Sequence, residues 1–123
     1  MTTFIDTNQC RRVKAADGQG EVAEIVNKEL CSAENVVGMV RWLGQGDRFD
    51  AVPLENTHQL IYLMAGSGVI TLESKDYDVS KGAGIYLGPD ETASIRQAGT
   101  QPLKLLHLVV PKIKDEPYHG HHA

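Results

Sequence analysis

The sequence is short of most signals from which a function is read directly. It has no basic excess. A formal net charge of −4 argues against non-specific nucleic-acid binding, which needs a basic footprint. No apolar run approaches the ~20 residues that span a bilayer. The opening Met1-Thr2-Thr3-Phe4-Ile5-Asp6 lacks the basic start and apolar middle of a signal peptide. Cysteine is scarce: Cys10 and Cys31 are far apart and form no metal-type spacing. They read as two free thiols of a reduced, cytoplasmic chain. There is no internal repeat or low-complexity segment, and no Gly-rich phosphate loop, Ser-His-Asp order or paired-carboxylate signal.

What is present is rhythm. The chain of 123 residues is long enough for one domain with one sizeable core. Across Thr57 to Gln97, short apolar runs alternate with Gly, Pro and Asp punctuation. That spacing predicts an all-β sandwich or barrel. The expected organisation is an N-terminal arm over 1–20, a β-barrel over 21–111 and a charged, His-rich tail over 112–123. Arg11-Arg12-Val13-Lys14 reads as a short edge strand blunted by its cations, with anion binding as the functional alternative.

Strands are expected over Glu21 to Asn27, Asn35 to Leu43, Gln59 to Ala65, Val69 to Ser74, Ile85 to Leu87, Thr92 to Gln97 and Pro102 to Val110. Gly66-Ser67-Gly68 reads as a tight hairpin turn, and Lys75-Asp76 as another. Pro53 marks an irregular stretch between Arg48 and Thr57.

Strand residues alternate faces. In the last strand Lys104 is costly to bury, so Leu103, Leu105, His107 and Val109 should point inward. In Thr92 to Gln97 the inward set is Ala93, Ile95 and Gln97. In the opening strand, Gln59, Ile61 and Leu63 share one face and Leu60, Tyr62 and Met64 the other. Both faces are apolar, which predicts cover from a second sheet or from a partner subunit, a homodimer being the expected assembly.

Candidate functional residues follow from those directions. An inward His107 is either an acid, base or polar anchor, or a hydrogen-bonded interior imidazole. Gln59 facing the same space can orient a ligand carbonyl or hydroxyl. Ile61, Ala93 and Ile95 would line such a pocket, and Tyr86 either closes it or packs. Glu55 and His58 lie beside the expected barrel mouth. His119, His121 and His122 form a weak metal-binding tract at the terminus.

The stretch Gln59 to Ile95 resembles the cupin family, small β-barrels of the jelly-roll type. The family's first motif runs Gly, five residues, His-x-His, three or four residues, Glu, six residues, Gly. Gly66 fits its closing glycine, which sets Gln59 at the metal-binding Glu. Gly46 then opens it, and His-x-His falls on Val52 and Leu54, or on Pro53 and Glu55 at the shorter spacing. In the second motif Gly82 fits the opening glycine. Gly88-Pro89-Asp90 stands for Pro-x-Gly, Ala93 for the metal-binding His and Gln97 for Asn. The resemblance spans roughly residues 36–111 and implies a single-domain jelly roll.

In that family three imidazoles and a carboxylate hold a divalent metal. Here the corresponding positions are too poor in donors, since a metal site needs about three or four converging N, O or S atoms. The resemblance therefore implies a cupin that binds a small organic molecule in the barrel without a metal, either as a binding module or as a lyase, isomerase or cyclase with His107 as base. An alternative is a metal-dependent enzyme, a dioxygenase, decarboxylase or isomerase. It would hold Fe, Zn, Mn or Ni on a non-standard set drawn from Glu55, His58, Gln59 and His107. A third is a regulatory or structural subunit.

Overall fold

The computed structural model describes residues 4–15 and 18–111. Ten strands, all paired antiparallel, form two sheets. The strands are β1 (Val13–Lys14), β2 (Glu21–Val26), β3 (Val37–Leu43), β4 (Arg48–Asp50), β5 (His58–Ala65), β6 (Ser67–Leu72), β7 (Lys75–Ser80), β8 (Gly84–Leu87), β9 (Ser94–Ala98) and β10 (Leu103–Val110). One sheet runs β1-β2-β3-β10-β5-β8 and the other β4-β9-β6-β7. The two face each other as a jelly roll, the all-β form that the family resemblance implies.

Register fixes which residues meet inside. Cross-strand partners point to the same face. His107 of β10 pairs with Met39 of β3 and Ile61 of β5, and Ile61 pairs with Ile85 of β8. One row along, Arg41, Leu105 and Leu63 are aligned. One row the other way lie Val109, Gln59 and Leu87. These rows bury the main core, with Leu43, Phe49, Ile95 and Leu103 closing it from both sheets. A second apolar cluster sits at the β1–β2 end: Ala15, Val22, Val37, Met39, Leu54 and Val109. The inward set expected of β10 is fully buried.

Four local expectations need correction. Gly66 is not in a hairpin. β5 pairs with β10 and β8, whereas β6 pairs with β7 and β9, so Gly66 is where the chain crosses between sheets. Its φ is +86°, and a Cβ there would lie 2.5 Å from the Pro102 carbonyl oxygen. The hairpin turn after β6 is at Glu73-Ser74, two residues earlier than expected. Leu72 pairs with Lys75, and both turn residues have positive φ, 49° and 68°. A two-residue turn of that kind favours Gly or Asn, and without them the sequence hid it.

Asn27 does not end a strand quietly. It caps a single helical turn, α1 (Lys28–Cys31), its side chain accepting from the Leu30 N–H at 2.8 Å. Gln97 keeps the inward parity of Ile95 but is not packed in the core. It is half-buried, and its amide donates to the Gly99 and Gln101 carbonyls at 3.1 and 2.8 Å. It ties down the β9–β10 turn.

The outer face of the larger sheet is apolar over β5, β8 and β10. Leu60, Tyr62, Tyr86 and Val110 are 42%, 41%, 61% and 40% exposed. The expected cover on this side does not come from a second sheet. The Arg12 guanidinium stacks 3.7 Å over the Trp42 ring and pairs with Glu21, which fits the blunted-edge reading of β1.

Because Gly66 combines a left-handed φ with a blocked Cβ direction, Gly66→Ala should lower stability by about 3 kcal/mol in urea unfolding. Gly82→Ala, with open space at its Cβ, should cost about 1 kcal/mol.

Candidate functional site

The interior carries one continuous polar chain. It begins at Arg41, placed by β3 alternation on the same face as Met39 and Leu43, and wholly buried. The Arg41 Nε–H donates to His107 Nδ1 at 3.1 Å. His107 Nε2 and Gln59 Oε1 are 2.8 Å apart. The Gln59 amide in turn donates to the Val52 carbonyl at 2.9 Å.

The polarity of this chain has one consistent assignment. A guanidinium only donates, so Nδ1 must accept. The imidazole proton then sits on Nε2 and is donated to the Gln59 oxygen. That leaves the Gln59 nitrogen to donate onward, as it does. His107 is therefore the neutral Nε2–H tautomer. Protonating Nδ1 would set two N–H donors face to face, so the arrangement suits an anchor better than a general base.

Phe49, from the opposite sheet, closes the group. Its ring lies 4.0 Å from the guanidinium carbon and 5.2 Å from the His107 ring, tilted by 58°. Such cation–π contact partly replaces lost hydration. Burial still disfavours the charge and pulls the Arg41 pKa from 12.5 to about 9. At neutral pH the group remains a cation, so the barrel interior holds a fixed positive charge.

Of the residues singled out from sequence, Gln59, Ile61, Ala93, Ile95 and His107 are all buried in the interior. Tyr86 is not. It projects from the outer face of β8, where its hydroxyl lies 2.5 Å from His58 Nδ1 and the two rings stack at 5.8 Å. With Leu72, Tyr77, Ile85 and Leu87 it lines a separate cavity of about 620 Å³ between β7 and β8. The alternative metal set also fails to assemble. His58 is turned outward to Tyr86, Glu55 is exposed, and Gln59 and His107 are committed to each other.

Of the two His-x-His alignments, Val52 and Leu54 pack at the second apolar cluster, while Pro53 and Glu55 are exposed. The longer spacing is thus the one that puts its residues inside, and they are apolar. Among the described residues no three His, Cys, Asp or Glu side chains converge as metal ligands do, and the donor chemistry at the cupin positions does not fit a divalent ion. His119, His121 and His122 lie outside the described residues.

Arg41 is the interior polar residue that the sequence reading did not single out. An Arg is rarely buried, and the only signal was its place among Val37, Met39 and Leu43 on one face.

A cavity of about 750 Å³ lies between the arm residues 4–11, β2 and α1. Its wall includes Phe4, Ile5, Val13, Val22, Glu24 and Leu30. Val13 pairs with Val22, and Val22 with Arg41. Val13 and Val22 are therefore wall residues on the inner face of the sheet, and Arg41 itself does not line the cavity. Asn27 Nδ2 donates to Glu24 at 2.9 Å and steadies that carboxylate on the wall.

Comparison with known proteins agrees with this architecture. The family model for AraC-like ligand binding domains matches residues 40–119. An uncharacterized protein of Methanocaldococcus jannaschii is 32% identical over 60 residues, 49% of this chain and 48% of that one. The chain thus spans about half the length of that curated relative. Among solved structures, KdgF from Halomonas superposes with a TM-score of 0.76 at 13% identity, covering 94% of this chain and 98% of that one. An RmlC-like cupin from Shewanella frigidimarina gives 0.71 at 13% identity, covering 94% and 96%. A predicted oxalate decarboxylase from Thermotoga maritima gives 0.64 at 20% identity, covering 89% and 100%. At these identities the structural likeness establishes the cupin fold.

Gln59→Leu removes the acceptor for His107 Nε2–H and should cost about 1–3 kcal/mol in urea unfolding. Combining it with His107→Phe should cost less than the sum of the two single changes. Nitrogen-15 NMR near neutral pH should report the Nε2–H tautomer for His107, and a protonated ring would contradict the assignment.

Proposed function

The chain belongs to the family of AraC-like ligand binding domains, and we propose that it binds a small organic molecule without the metal cage of many cupins. The observation that carries this reading is the cavity of about 750 Å³ at the barrel end, which is within the usual range for small-molecule sites. Its wall is largely apolar, with a few polar groups that give orientation: Glu24, Asn27 and Gln9. Its wall residue Val22 is the cross-strand partner of Arg41.

The engagement of both His107 nitrogens favours a binding or sensing role over base catalysis. The outward His58, the exposed Glu55 and the mutual bond of Gln59 and His107 weigh against a metal-dependent enzyme on that set. The two free thiols support a reducing compartment, the cytoplasm.

A second reading concerns assembly. We propose a homodimer through the outer face of β5, β8 and β10. The exposed Leu60, Tyr62, Tyr86 and Val110 form neighbouring rows on one gently twisted sheet. A face of that kind can meet its own copy across a two-fold axis.

The binding reading is tested by titrating small-molecule mixtures into the labelled full chain. Amide shifts should cluster at Val13, Val22 and Leu30, and shifts confined to other faces would count against it. For assembly, light scattering should give the mass of two chains at micromolar concentration and of one chain for Tyr62→Lys. A monomeric parent protein would end the dimer reading.

A further inference from the structure

We infer that the cleft between β7 and β8 is a binding site for an organic cation, whose apolar body fills the open end of the core and whose amine docks between Glu91 and Tyr86. It is a second site, separate from the cavity beside the arm, and stands or falls without it.

The cleft comes from topology. β8 is the last strand of the six-stranded sheet and β7 the last of the four-stranded one, so on this side no hydrogen bonds join the two sheets. Between them lies the cavity of about 620 Å³, within the usual range of small-molecule sites. Its floor is Leu72, Ile85 and Leu87. Ile85 and Leu87 belong to the main core, and Leu72 packs against it.

A row of the core is left unfinished there. Phe49, Ile95, Ile70 and Tyr77 are successive cross-strand partners over β4, β9, β6 and β7. All four side chains therefore leave that sheet on its inner face. Val79, of the same parity in β7, packs against the core, as that direction requires. The first three members of the row are buried, whereas Tyr77 is 47% exposed. An inward aromatic ring uncovered to that degree offers apolar surface for a ligand to bury.

The polar groups at the lip beside β8 are acceptors. Glu91 accepts from the Gly88 N–H at 2.6 Å, which holds its carboxylate in place. A Cβ on Gly88 would lie 3.1 Å from Glu91 Oε1 and 3.7 Å from the Tyr86 hydroxyl. The two oxygens therefore converge on the space that a side chain at this position would take. Gly88 has no left-handed φ, so its backbone does not demand glycine. The Tyr86 hydroxyl, donating to His58 Nδ1 at 2.5 Å, keeps lone pairs on its oxygen. A carboxylate beside a phenol oxygen calls for a donor, and an ammonium supplies three. The tyrosine faces add cation–π attraction.

Charge selects the same sign. Glu73, Asp90 and Glu91 stand at the cavity against one cation, Lys75. Glu73 and Lys75 come from the same turn, whereas Asp90 and Glu91 share the opposite lip with no cation among the lining residues. These groups are exposed, so the preference is moderate and falls with salt.

The test uses three probes of similar size, phenethylamine, phenethyl alcohol and hydrocinnamate, titrated into the full chain and followed by amide NMR. Shifts at Tyr77, Ile85 and Gly88 read occupancy of the cleft. The amine should move them and bind about fivefold more tightly than the alcohol at low salt, with the carboxylate weakest. That advantage should shrink as salt is added. Glu91→Gln keeps an acceptor for the Gly88 N–H and should remove most of the amine's advantage, while Tyr77→Ala should weaken amine and alcohol alike. An amine that binds no better than the alcohol would overturn the cation inference, and so would amine shifts spread evenly over carboxylates elsewhere on the surface. If no probe moves the cleft resonances, the site itself falls, whatever happens at Val13 and Val22. The comparison of probes on the unaltered protein decides the matter even if a variant does not fold.

Discussion

A guanidinium held inside an apolar barrel dictates the polarity of its surroundings. Arg41 can only donate, so the imidazole beside it must accept, and the amide beyond must turn its oxygen to the imidazole and its nitrogen to a backbone carbonyl. Each group in the chain has its orientation set by the one before. Phe49 presses on the cation and on the imidazole from the other sheet, so the same contact joins the two sheets across the core. The cost of burying the charge shows in its depressed pKa. A side chain kept inside against that cost is a candidate for function rather than for stability.

The lost metal cage and the polar chain are two aspects of one substitution pattern. The cupin positions here hold Val52, Leu54, Gln59 and Ala93. Three are apolar and pack as core residues, and the fourth is a neutral amide. Filling those positions with hydrocarbon closes the centre of the barrel. One open space lies at its β1–β2 end, between residues 4–11, β2 and α1, and another lies between β7 and β8. The side chains at those positions thus differ from a metal cage in the space they fill as much as in donor chemistry.

Where local rules governed, the sequence was readable. The alternation in β10 placed His107 inside because Lys104 on the other face could not be buried. The parity of β5 placed Gln59, Ile61 and Leu63 together. Where a single turn residue or a crossing between sheets mattered, it was not readable. Glu73 and Ser74 adopt positive φ with no glycine to announce it. Gly66 looked like a hairpin because the local pattern of a sheet crossing and of a turn is the same. Tyr86 read as a pocket residue, yet parity with Leu60 across β5 and β8 turns it outward.

The amino-acid order alone determined that this chain is an antiparallel barrel, which strand faces are inward, and that the usual imidazole cage is missing. Those properties depend on period-two alternation, turn residues and the identity of side chains at fixed spacing, all of which are local. Only the tertiary structure decided that Arg41 is interior, that it meets a histidine 66 residues away, and that a cavity lies between the arm, β2 and α1. Those depend on which strands become neighbours and in what register. The register is settled by packing the whole core at once, so no single stretch of sequence carries it.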